Sequence, residues 1–317
     1  MRTLIVIAVV LALGALATLI GSWLIGRAHP PRGRFVKVRR VRQHVVELGP
    51  AQTAAPPIVL IHGAGCNLED MRLDLGERLA ARHRIILVDR PGLGWSKRRG
   101  RDGGSPHDQA AILRDVLDAL GIDRAVIVGH SWGGAVAASF ALDYPDRTAA
   151  LALLASPLYP HAHPTTSLYA LFAMPVLGWI YARTLALPIG LLFLGPAMWS
   201  AFLPQFPPRD YLKRSAARLL LRPAAFLANS SDMADLKSNL TPQPARYRGL
   251  AMPTLVMSGS SDFVVAPQLH AVPFATAVPH AKLVILPGIG HMLHHVAAER
   301  VLAEIEALAA KMAGPND

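Results

Sequence analysis

The stretch Gly129-His130-Ser131-Trp132-Gly133 follows the apolar run 125–128 and precedes an alanine-rich segment. This pattern predicts a buried strand that turns sharply into a helix, with Ser131 at the turn. Gly129 and Gly133 lack side chains, which lets the strand and the helix pass close together while the serine adopts a strained conformation. The hydroxyl of Ser131 would then stand above the edge of a sheet, and the N–H of Trp132 would be free to bind an oxyanion.

Two further predicted strands are followed by residues that can activate a serine. The run 254–259 leads to Asp262, and the run 282–286 leads through a glycine-containing loop to His291. Catalytic groups of open α/β sheets collect at the carboxyl ends of the strands. We therefore predict Ser131 as nucleophile, His291 as general base and Asp262 as the acid that orients the base. Asp89 is an alternative acid, but its position in a Pro-Gly turn favours a role in bracing that loop.

A glycine-rich loop supplies the second oxyanion donor. The apolar run 58–61 predicts a strand, and His62-Gly63-Ala64-Gly65 follows it. We predict that the backbone N–H groups of Ala64 and Trp132 form the oxyanion hole. The side chain of His62 is expected to support the loop.

Together, these motifs resemble those of the α/β-hydrolase fold family, in its lipase/esterase-like branch. The matching segments lie within residues 57–313 and are His62 to Gly65, Asp89-Arg90-Pro91-Gly92-Leu93-Gly94-Trp95-Ser96, Gly129 to Gly134, Asp262 and Gly290-His291. The resemblance implies hydrolysis through a serine nucleophile. Relatives that act on haloalkanes or epoxides carry aspartate as nucleophile, and Ser131 argues against both activities.

Short apolar runs alternate with helical stretches along most of the chain. Strands are predicted near 43–47, 57–62, 85–89, 125–129, 150–155, 254–258 and 282–286, and helices near 69–82, 107–120, 132–144 and 296–312. This alternation predicts an α/β fold with a mostly parallel central sheet and helices on both faces. The core domain is predicted over 43–157 and 251–317.

The segment 158–250 is predicted to be a helical cap inserted into this core. It is rich in leucine and proline, and residues 184–203 carry no charge. A second membrane span is the alternative for that stretch, but Pro188, Gly190, Gly195 and Pro196 favour short helices. We expect residues 168–203 to cover Ser131 and Trp132 and to form an apolar wall for the substrate.

The N-terminus contains 23 uncharged residues, 3–25, which are enough to cross about 30 Å of hydrocarbon as a helix. We predict an N-terminal transmembrane helix over 1–26, followed by a basic linker over 27–42. A cleaved signal peptide is the alternative, although its apolar core is usually shorter. The arginines after the span favour a cytoplasmic catalytic domain, whereas the short N-terminus with Arg2 also fits the opposite orientation.

The charge and composition of the chain indicate which kinds of partner it can bind. The net charge is +11, and the basic residues cluster in the 27–42 arm and in a second run at 97–101. No nucleic-acid motif accompanies them, so the arm is predicted to contact anionic membrane lipids. His291, His294 and His295 invite a metal site, but no cysteine or carboxylate pair with ligand spacing completes one. We predict no metal and no cofactor.

The predicted reaction is hydrolysis of a carboxylic ester with an apolar part, through an acyl-enzyme on Ser131. The substrate is a lipophilic small molecule. Hydrolysis of a C–C bond or an amide on the same three residues is the alternative within enzymes. A non-catalytic membrane scaffold that keeps the fold is the alternative from another class.

Overall fold

A computed structural model describes residues 1–100, 102–161 and 166–312, so Arg101 of the second basic run lies outside the described residues. Within them, eight strands form one sheet in the order β1-β2-β4-β3-β5-β6-β7-β8. The strands are β1 (Arg34–Val38), β2 (Val41–Leu48), β3 (Ile58–Ile61), β4 (Ile85–Val88), β5 (Ala125–His130), β6 (Thr148–Leu154), β7 (Thr254–Gly259) and β8 (Lys282–Leu286). The pairs from β4 to β8 are parallel, and β1 and β2 form an antiparallel edge.

The helices alternate with these strands in the core and cluster in the cap. They are α1 (Arg2–Ala28), α2 (Leu68–Met71), α3 (Glu77–Leu79), α4 (Pro106–Ala119), α5 (Trp132–Asp143), α6 (Thr166–Phe172), α7 (Leu177–Thr184), α8 (Ala186–Phe202), α9 (Tyr211–Arg214), α10 (Pro223–Leu240), α11 (Ala271–Ala277), α12 (Leu293–Val296) and α13 (Ala298–Ala310). A π-helical turn, Arg72–Gly76, joins α2 to α3.

Two apolar layers cover the sheet. Along β3, Val59 and Ile61 pack with α4 and α5 on one face, whereas Ile58 and Leu60 pack with the α2–α3 segment and α13 on the other. Side chains of a strand alternate between faces, so a strand buried on both sides reads as a continuous apolar run. The predicted α/β fold with helices on both faces is confirmed.

Two details differ from the sequence prediction. The segment predicted as a basic linker contains β1, which pairs with β2 from Arg34 to Val38. Helix α8 runs unbroken past both of its prolines. Pro188 is its third residue, where the backbone N–H has no intrahelical acceptor, so a proline there removes no hydrogen bond. Pro196 lies inside the helix, where it removes one.

Helix α1 packs against the cap. The hydroxyl of Thr18 donates to the Thr184 carbonyl at 3.2 Å, and a methyl group on Gly14 would lie 2.5 Å from that oxygen. Among the described residues, α1 is the one helix long and apolar enough to cross a bilayer, and little of it is covered by the rest of the chain. Helices α7 and α8, bent by 76° relative to each other, pass the same test only as a pair.

Few residues separate α1 from the core. Helix α1 ends at Ala28, and β1 begins at Arg34. Between them, the indole N–H of Trp95 donates to the His29 carbonyl at 3.1 Å. The buried carboxylate of Asp89 bonds His44 of β2 at 2.7 Å and accepts from the backbone N–H of Trp95 at 2.7 Å. Asp89 therefore braces this loop, as its turn predicted.

A buried polar network joins α2, the π-helical turn, α9 and α12. The Asp70 carboxylate bonds His294 at 3.2 Å and His295 at 2.9 Å, and it accepts from the Tyr211 hydroxyl at 2.5 Å. The other ring nitrogen of His295 bonds Asp74 at 2.6 Å. These hydrogen bonds to two carboxylates outweigh burial and raise the pKa of His295 to about 9. Burial lowers the pKa of the neighbouring His294 to about 4, with the charge of His295 acting in the same direction.

We predict that the free energy of unfolding is greatest near pH 6.5. His295 is protonated in the folded state up to about pH 9 but in the unfolded state only to about 6.5, so its contribution is lost as pH rises through that window. His294 and His62 have pKa values near 4 in the folded state, so their contributions to the free energy of unfolding are lost as pH falls from 6.5 to 4. Urea unfolding in detergent between pH 4.5 and 9.5 measures the profile. In His295→Gln the alkaline decline should flatten, and an unchanged decline would contradict the assignment.

We also predict that Gly133→Ala lowers the free energy of unfolding by about 2–4 kcal/mol, in the range of severe steric substitutions. A methyl group there would lie 2.4 Å from the Ile61 carbonyl oxygen and 2.5 Å from that of His62, and both are fixed backbone atoms. Gly249→Ala is the matched control, because a methyl group at Gly249 meets nothing within 4 Å. Urea midpoints of the two variants test this, and equal midpoints would contradict it.

Candidate active site

Ser131 occupies the turn between β5 and α5. Its φ of 51° and ψ of −126° are strained for a residue with a side chain. Its N–H donates to the Leu154 carbonyl at 2.8 Å, and its carbonyl accepts from Gly134 at 2.7 Å. A methyl group on Gly129 would lie 2.3 Å from the Gly133 oxygen, so the turn closes only with glycine at this position. The strand–turn–helix geometry therefore follows the sequence prediction.

Asp262 and His291 are brought together from two different loops. Nδ1 of His291 lies 2.9 Å from Oδ2 of Asp262, and both side chains are buried. The other carboxylate oxygen, Oδ1, accepts from the backbone N–H groups of Val264 and Val265 at 2.9 and 2.8 Å. The aspartate is thus fixed in place before it orients the imidazole. In this contact Nδ1 of His291 can donate a hydrogen bond to the carboxylate. The other ring nitrogen, Nε2, is then unprotonated and can accept a proton.

His130, the residue before Ser131, links the turn to the histidine loop. Its Nε2 lies 3.2 Å from the carbonyl oxygen of His291, and the two rings are 5.0 Å apart. Burial, with the neighbouring histidine charges, lowers the pKa of His130 well below its usual range. A neutral ring with its proton on Nε2 can donate to that carbonyl. The structure therefore places His291 directly beside the serine turn, through a residue that the sequence analysis did not single out.

The glycine-rich loop passes against the serine. A methyl group on Gly63 would lie 3.0 Å from Cβ of Ser131, so the following residue, Ala64, is carried close to the turn. Trp132 is the first residue of α5, where backbone N–H groups lack an intrahelical acceptor. Both predicted oxyanion donors are therefore on segments that meet at Ser131.

His62 supports this loop. Its Nδ1 lies 2.9 Å from the Gly63 carbonyl oxygen, and its Nε2 accepts from the backbone N–H of Arg90 at 3.0 Å. Burial, and secondarily the charge of Arg90, lowers the pKa of His62 to about 4. The ring is therefore neutral at physiological pH, in agreement with a supporting role.

Arg90 is the principal site residue that sequence reasoning missed. Its guanidinium donates to the carbonyls of His62 at 3.1 Å and Gly63 at 3.3 Å, and it lies 4.1 Å from the centroid of the Trp132 ring. It also donates to Asp232 of α10 at 2.8 Å, deep in the protein. The sequence signal was present, because Arg90 belongs to the segment 89–96 that matched the family, but its partner lies 142 residues away.

The cap contacts the oxyanion loop and Trp132 through α10, and the covering of Ser131 by residues 168–203 stays a prediction. The indole N–H of Trp132 donates to the Asp232 carbonyl at 3.3 Å, and the side chain of Asn229 accepts from Gly65 at 2.7 Å. Helix α8 packs mainly against α1, α7 and the turn 217–221, and its last residue, Phe202, packs with Met292 next to His291. Helix α10 thus supplies the polar groups, Asn229 and Asp232, that bond this region.

A second cap segment holds the histidine loop. The side-chain oxygen of Gln205 accepts from the Gly290 N–H at 2.9 Å, and its nitrogen donates to the Gly288 carbonyl at 2.7 Å. A methyl group on Gly290 would lie 2.0 Å from the Leu203 carbonyl oxygen. The cap therefore constrains the loop that carries His291.

One group of described residues has the spacing of metal ligands. Ligand atoms of Asp70, His294 and His295 lie within 4.8 Å of one another. The sequence analysis missed the carboxylate, which folding brings from α2. Each oxygen of Asp70 already bonds one histidine, and we assign the cluster to the hydrogen-bonded network of the fold.

Comparisons with known proteins agree with this geometry. Residues 56–298 match the family profile described as alpha/beta hydrolase fold. A protein of Variovorax paradoxus named as a carbamate hydrolase is 30% identical over 244 residues, which is 77% of this chain and 86% of that protein. Epoxide hydrolase 1 of Caenorhabditis elegans is 35% identical over 114 residues, which cover 36% of this chain and 28% of that protein. The chain spans about a third of the length of the curated relatives it matches at 35–40% identity.

Among solved structures, one titled a membrane phospholipase A is 20% identical, with a TM-score of 0.68 and coverage of 99% of both chains. At this identity the likeness concerns the fold. The profile match covers most of the chain, and the carbamate hydrolase is aligned over most of its own length. The chain therefore belongs to the α/β-hydrolase fold family.

Proposed function

We propose that this protein is a membrane-anchored serine hydrolase that cleaves carboxylic esters with an apolar acyl or alkyl part. The observation that carries the proposal is the strained turn of Ser131 beside the Asp262–His291 pair, which are joined at 2.9 Å. Family membership supports hydrolysis in general, and Ser131 supports an acyl-enzyme in particular. In the family resemblance, enzymes that open epoxides carry aspartate at this turn, so the epoxide hydrolase relative does not define the activity.

In the proposed reaction, Oγ of Ser131 attacks the ester carbonyl carbon while Nε2 of His291 accepts the hydroxyl proton. Asp262 holds the imidazole and stabilises the imidazolium that forms. The N–H groups of Ala64 and Trp132 bind the negative oxygen of the tetrahedral intermediate. His291 then gives its proton to the leaving alcohol, and an acyl-serine remains. Water, activated by the same histidine, releases the carboxylic acid and restores Ser131.

The substrate and location are proposed from apolar surface. Helix α1 exposes a row of large apolar side chains, and α7 and α8 expose Trp179, Leu192 and Phe193 among others. Large apolar side chains exposed together on neighbouring helices are typical of a membrane or partner interface. The solved membrane phospholipase A aligns along 99% of this chain, a span that takes in α1. An anchor of this kind would hold the active site close to lipophilic esters.

The first test of this proposal is Ser131→Ala in the full-length, detergent-solubilised protein. We expect loss of ester hydrolysis and of labelling by a fluorophosphonate probe, with an unchanged urea midpoint, because the mutation removes only the hydroxyl. Ser238→Ala, which changes an exposed serine on α10, should hydrolyse and label normally. Substantial turnover by the Ser131 variant would exclude it as nucleophile.

A series of p-nitrophenyl esters from C2 to C12 tests the substrate class. Each added methylene buried in an apolar site contributes up to about 0.8 kcal/mol. If the contact persists in the transition state, kcat/KM should rise by up to several-fold per methylene until the site is full. Steady-state rates at constant detergent measure this rise. A profile that is flat or greatest for acetate would point instead to a small substrate or to C–C bond or amide hydrolysis.

Asp232→Asn tests whether the cap helix α10 positions the oxyanion loop. The variant leaves Arg90 and Arg98 without their shared carboxylate, and the loop held by Arg90 should loosen. We expect kcat to fall at least tenfold with a smaller change in KM, because the oxyanion contacts strengthen in the transition state. Asp146→Asn is the control for the loss of one negative charge, because Asp146 is exposed and distant in the sequence from Asp232.

Loss of a buried ion-pair partner also costs about 3–5 kcal/mol of stability, so the protein is assayed well below its unfolding temperature. Asn229→Ala provides a milder variant that removes the hydrogen bond to Gly65, together with a bond to Tyr169, and keeps the buried ion pair. Asn229→Ala should lower kcat, as Asp232→Asn does. Wild-type kcat in both variants would show that α10 has no positioning role.

A further inference from the structure

A cavity lies apart from the candidate active site. It has a volume of about 1040 Å³ and lies between α1, α7, the start of α10 and the loop 92–100. Its described lining does not include Ser131, Asp262 or His291. Ligand sites typically occupy roughly 300–1,000 Å³, so this cavity is large enough for a sizeable molecule.

The polar part of the cavity carries positive charge. Its lining includes Lys97, Arg98, Arg183 and Arg222, and no aspartate or glutamate among the described residues. Arg98 is neutralised by Asp232, at 2.5 Å. No carboxylate oxygen in the described part of the chain lies within 4.0 Å of a charged nitrogen of Lys97, Arg183 or Arg222. The cavity therefore has a net positive potential.

Arg222 is the most informative of these residues. It stacks 4.3 Å from the centroid of Trp95 and donates to the carbonyl of Gly94. Burial lowers the pKa of its guanidinium, and the charge of Asp89, which lies beyond ion-pair distance, only partly opposes this shift. A cation that is largely withdrawn from water and has no carboxylate partner is costly, and an anionic ligand would offset that cost. Its fixed, planar N–H groups are suited to a phosphate or carboxylate.

The remaining wall is apolar and is formed in part by α1. The lining includes Ala15 and Leu19 of α1 and Met174 and Trp179 of the cap. The wall also includes Ser22 of α1, whose hydroxyl oxygen is buried and has no hydrogen-bond partner in the described residues. One cavity thus combines basic side chains, an orphaned hydroxyl group and a long apolar surface.

We infer that this cavity binds an anionic amphiphile, a phosphate or carboxylate group that carries an acyl chain. The acidic group would bind between Arg183 and Arg222, and the chain would lie along α1 towards Met174 and Trp179. The inference goes beyond the proposed hydrolysis. It rests on the proposed function only in that α1, as a membrane anchor, gives lipids a route to the cavity.

The test uses full-length Ser131→Ala protein in a nonionic detergent, so that no ester is turned over. Native mass spectrometry measures binding of dioleoyl-phosphatidylglycerol, dioleoyl-phosphatidylcholine and oleate. We expect phosphatidylglycerol or oleate to bind at least tenfold more tightly than phosphatidylcholine, whose head group carries no net charge. Competition between phosphatidylglycerol and oleate identifies whether the phosphate lipid or the fatty acid is preferred.

Adding Arg183→Gln and Arg222→Gln together should weaken binding of the preferred anion at least tenfold, with little effect on phosphatidylcholine. Lys213→Gln is the matched control, because Lys213 belongs to the same cap but lines a different cavity. If the double variant unfolds, Arg183→Gln alone is measured, since the side-chain bond of Arg183 lies within its own helix.

Equal affinity for the three ligands, or undiminished anion binding by the Arg183→Gln variants, would overturn the inference. The same holds if Lys213→Gln weakens binding as much as they do. Failure of the proposed function is seen separately. Release of the wild-type protein from membranes by carbonate would refute the anchor, and inactivity towards esters would refute the hydrolysis, while binding in detergent is measured independently of both.

Discussion

The close approach of two backbone segments at the serine turn is the constraint on which the rest of this structure depends. Strand β5 and helix α5 pass so near each other that a methyl group on Gly129 would lie 2.3 Å from a carbonyl oxygen of α5. The same packing brings Gly133 against the end of β3, from which the glycine-rich loop starts. One steric requirement therefore fixes the serine, the loop beside it and the first residue of α5 together. The strained φ of Ser131 persists because its neighbours on both sides leave it no alternative.

The cap is connected to this turn by polar contacts, although its composition is mainly apolar. Asp232 bonds two arginines, one of which also holds two carbonyls of the glycine-rich loop. Gln205 holds the loop that carries His291. Buried ion pairs add little net stability, but their geometry is specific, so they fix one arrangement of the two parts. The apolar surface of the cap is directed instead towards α1 and the exterior.

Local pattern was sufficient to predict the core, because strands such as β3 and β5 contain continuous apolar runs that a glycine follows within two residues. The positions of Asp262 and His291 followed from the rule that parallel strands end at one edge, and the structure joins them at 2.9 Å. The role of Asp232 could not be predicted from the sequence, because its ion-pair partner Arg90 lies 142 residues away in the chain. Strand β1 was missed because it is short and exposes the charged residues Arg34 and Lys37, as expected for an edge strand with an exposed face. The Asp70 network was missed for the same reason as Asp232: only folding brings its members together.

The short connection between α1 and the sheet limits how the molecule can meet its substrate. Five residues separate the end of α1 from β1, and five residues span at most about 17 Å. Trp95 further fastens that connection to the core through the carbonyl of His29. With α1 in a bilayer, this short linker would restrict both the translation and the rotation of the catalytic domain. The distance between the domain and the lipid surface would therefore be nearly constant. For a lipophilic substrate of the kind proposed above, encounters would then take place by lateral diffusion within a thin layer. The density of substrate in the membrane, and not its concentration in the surrounding water, would determine the rate.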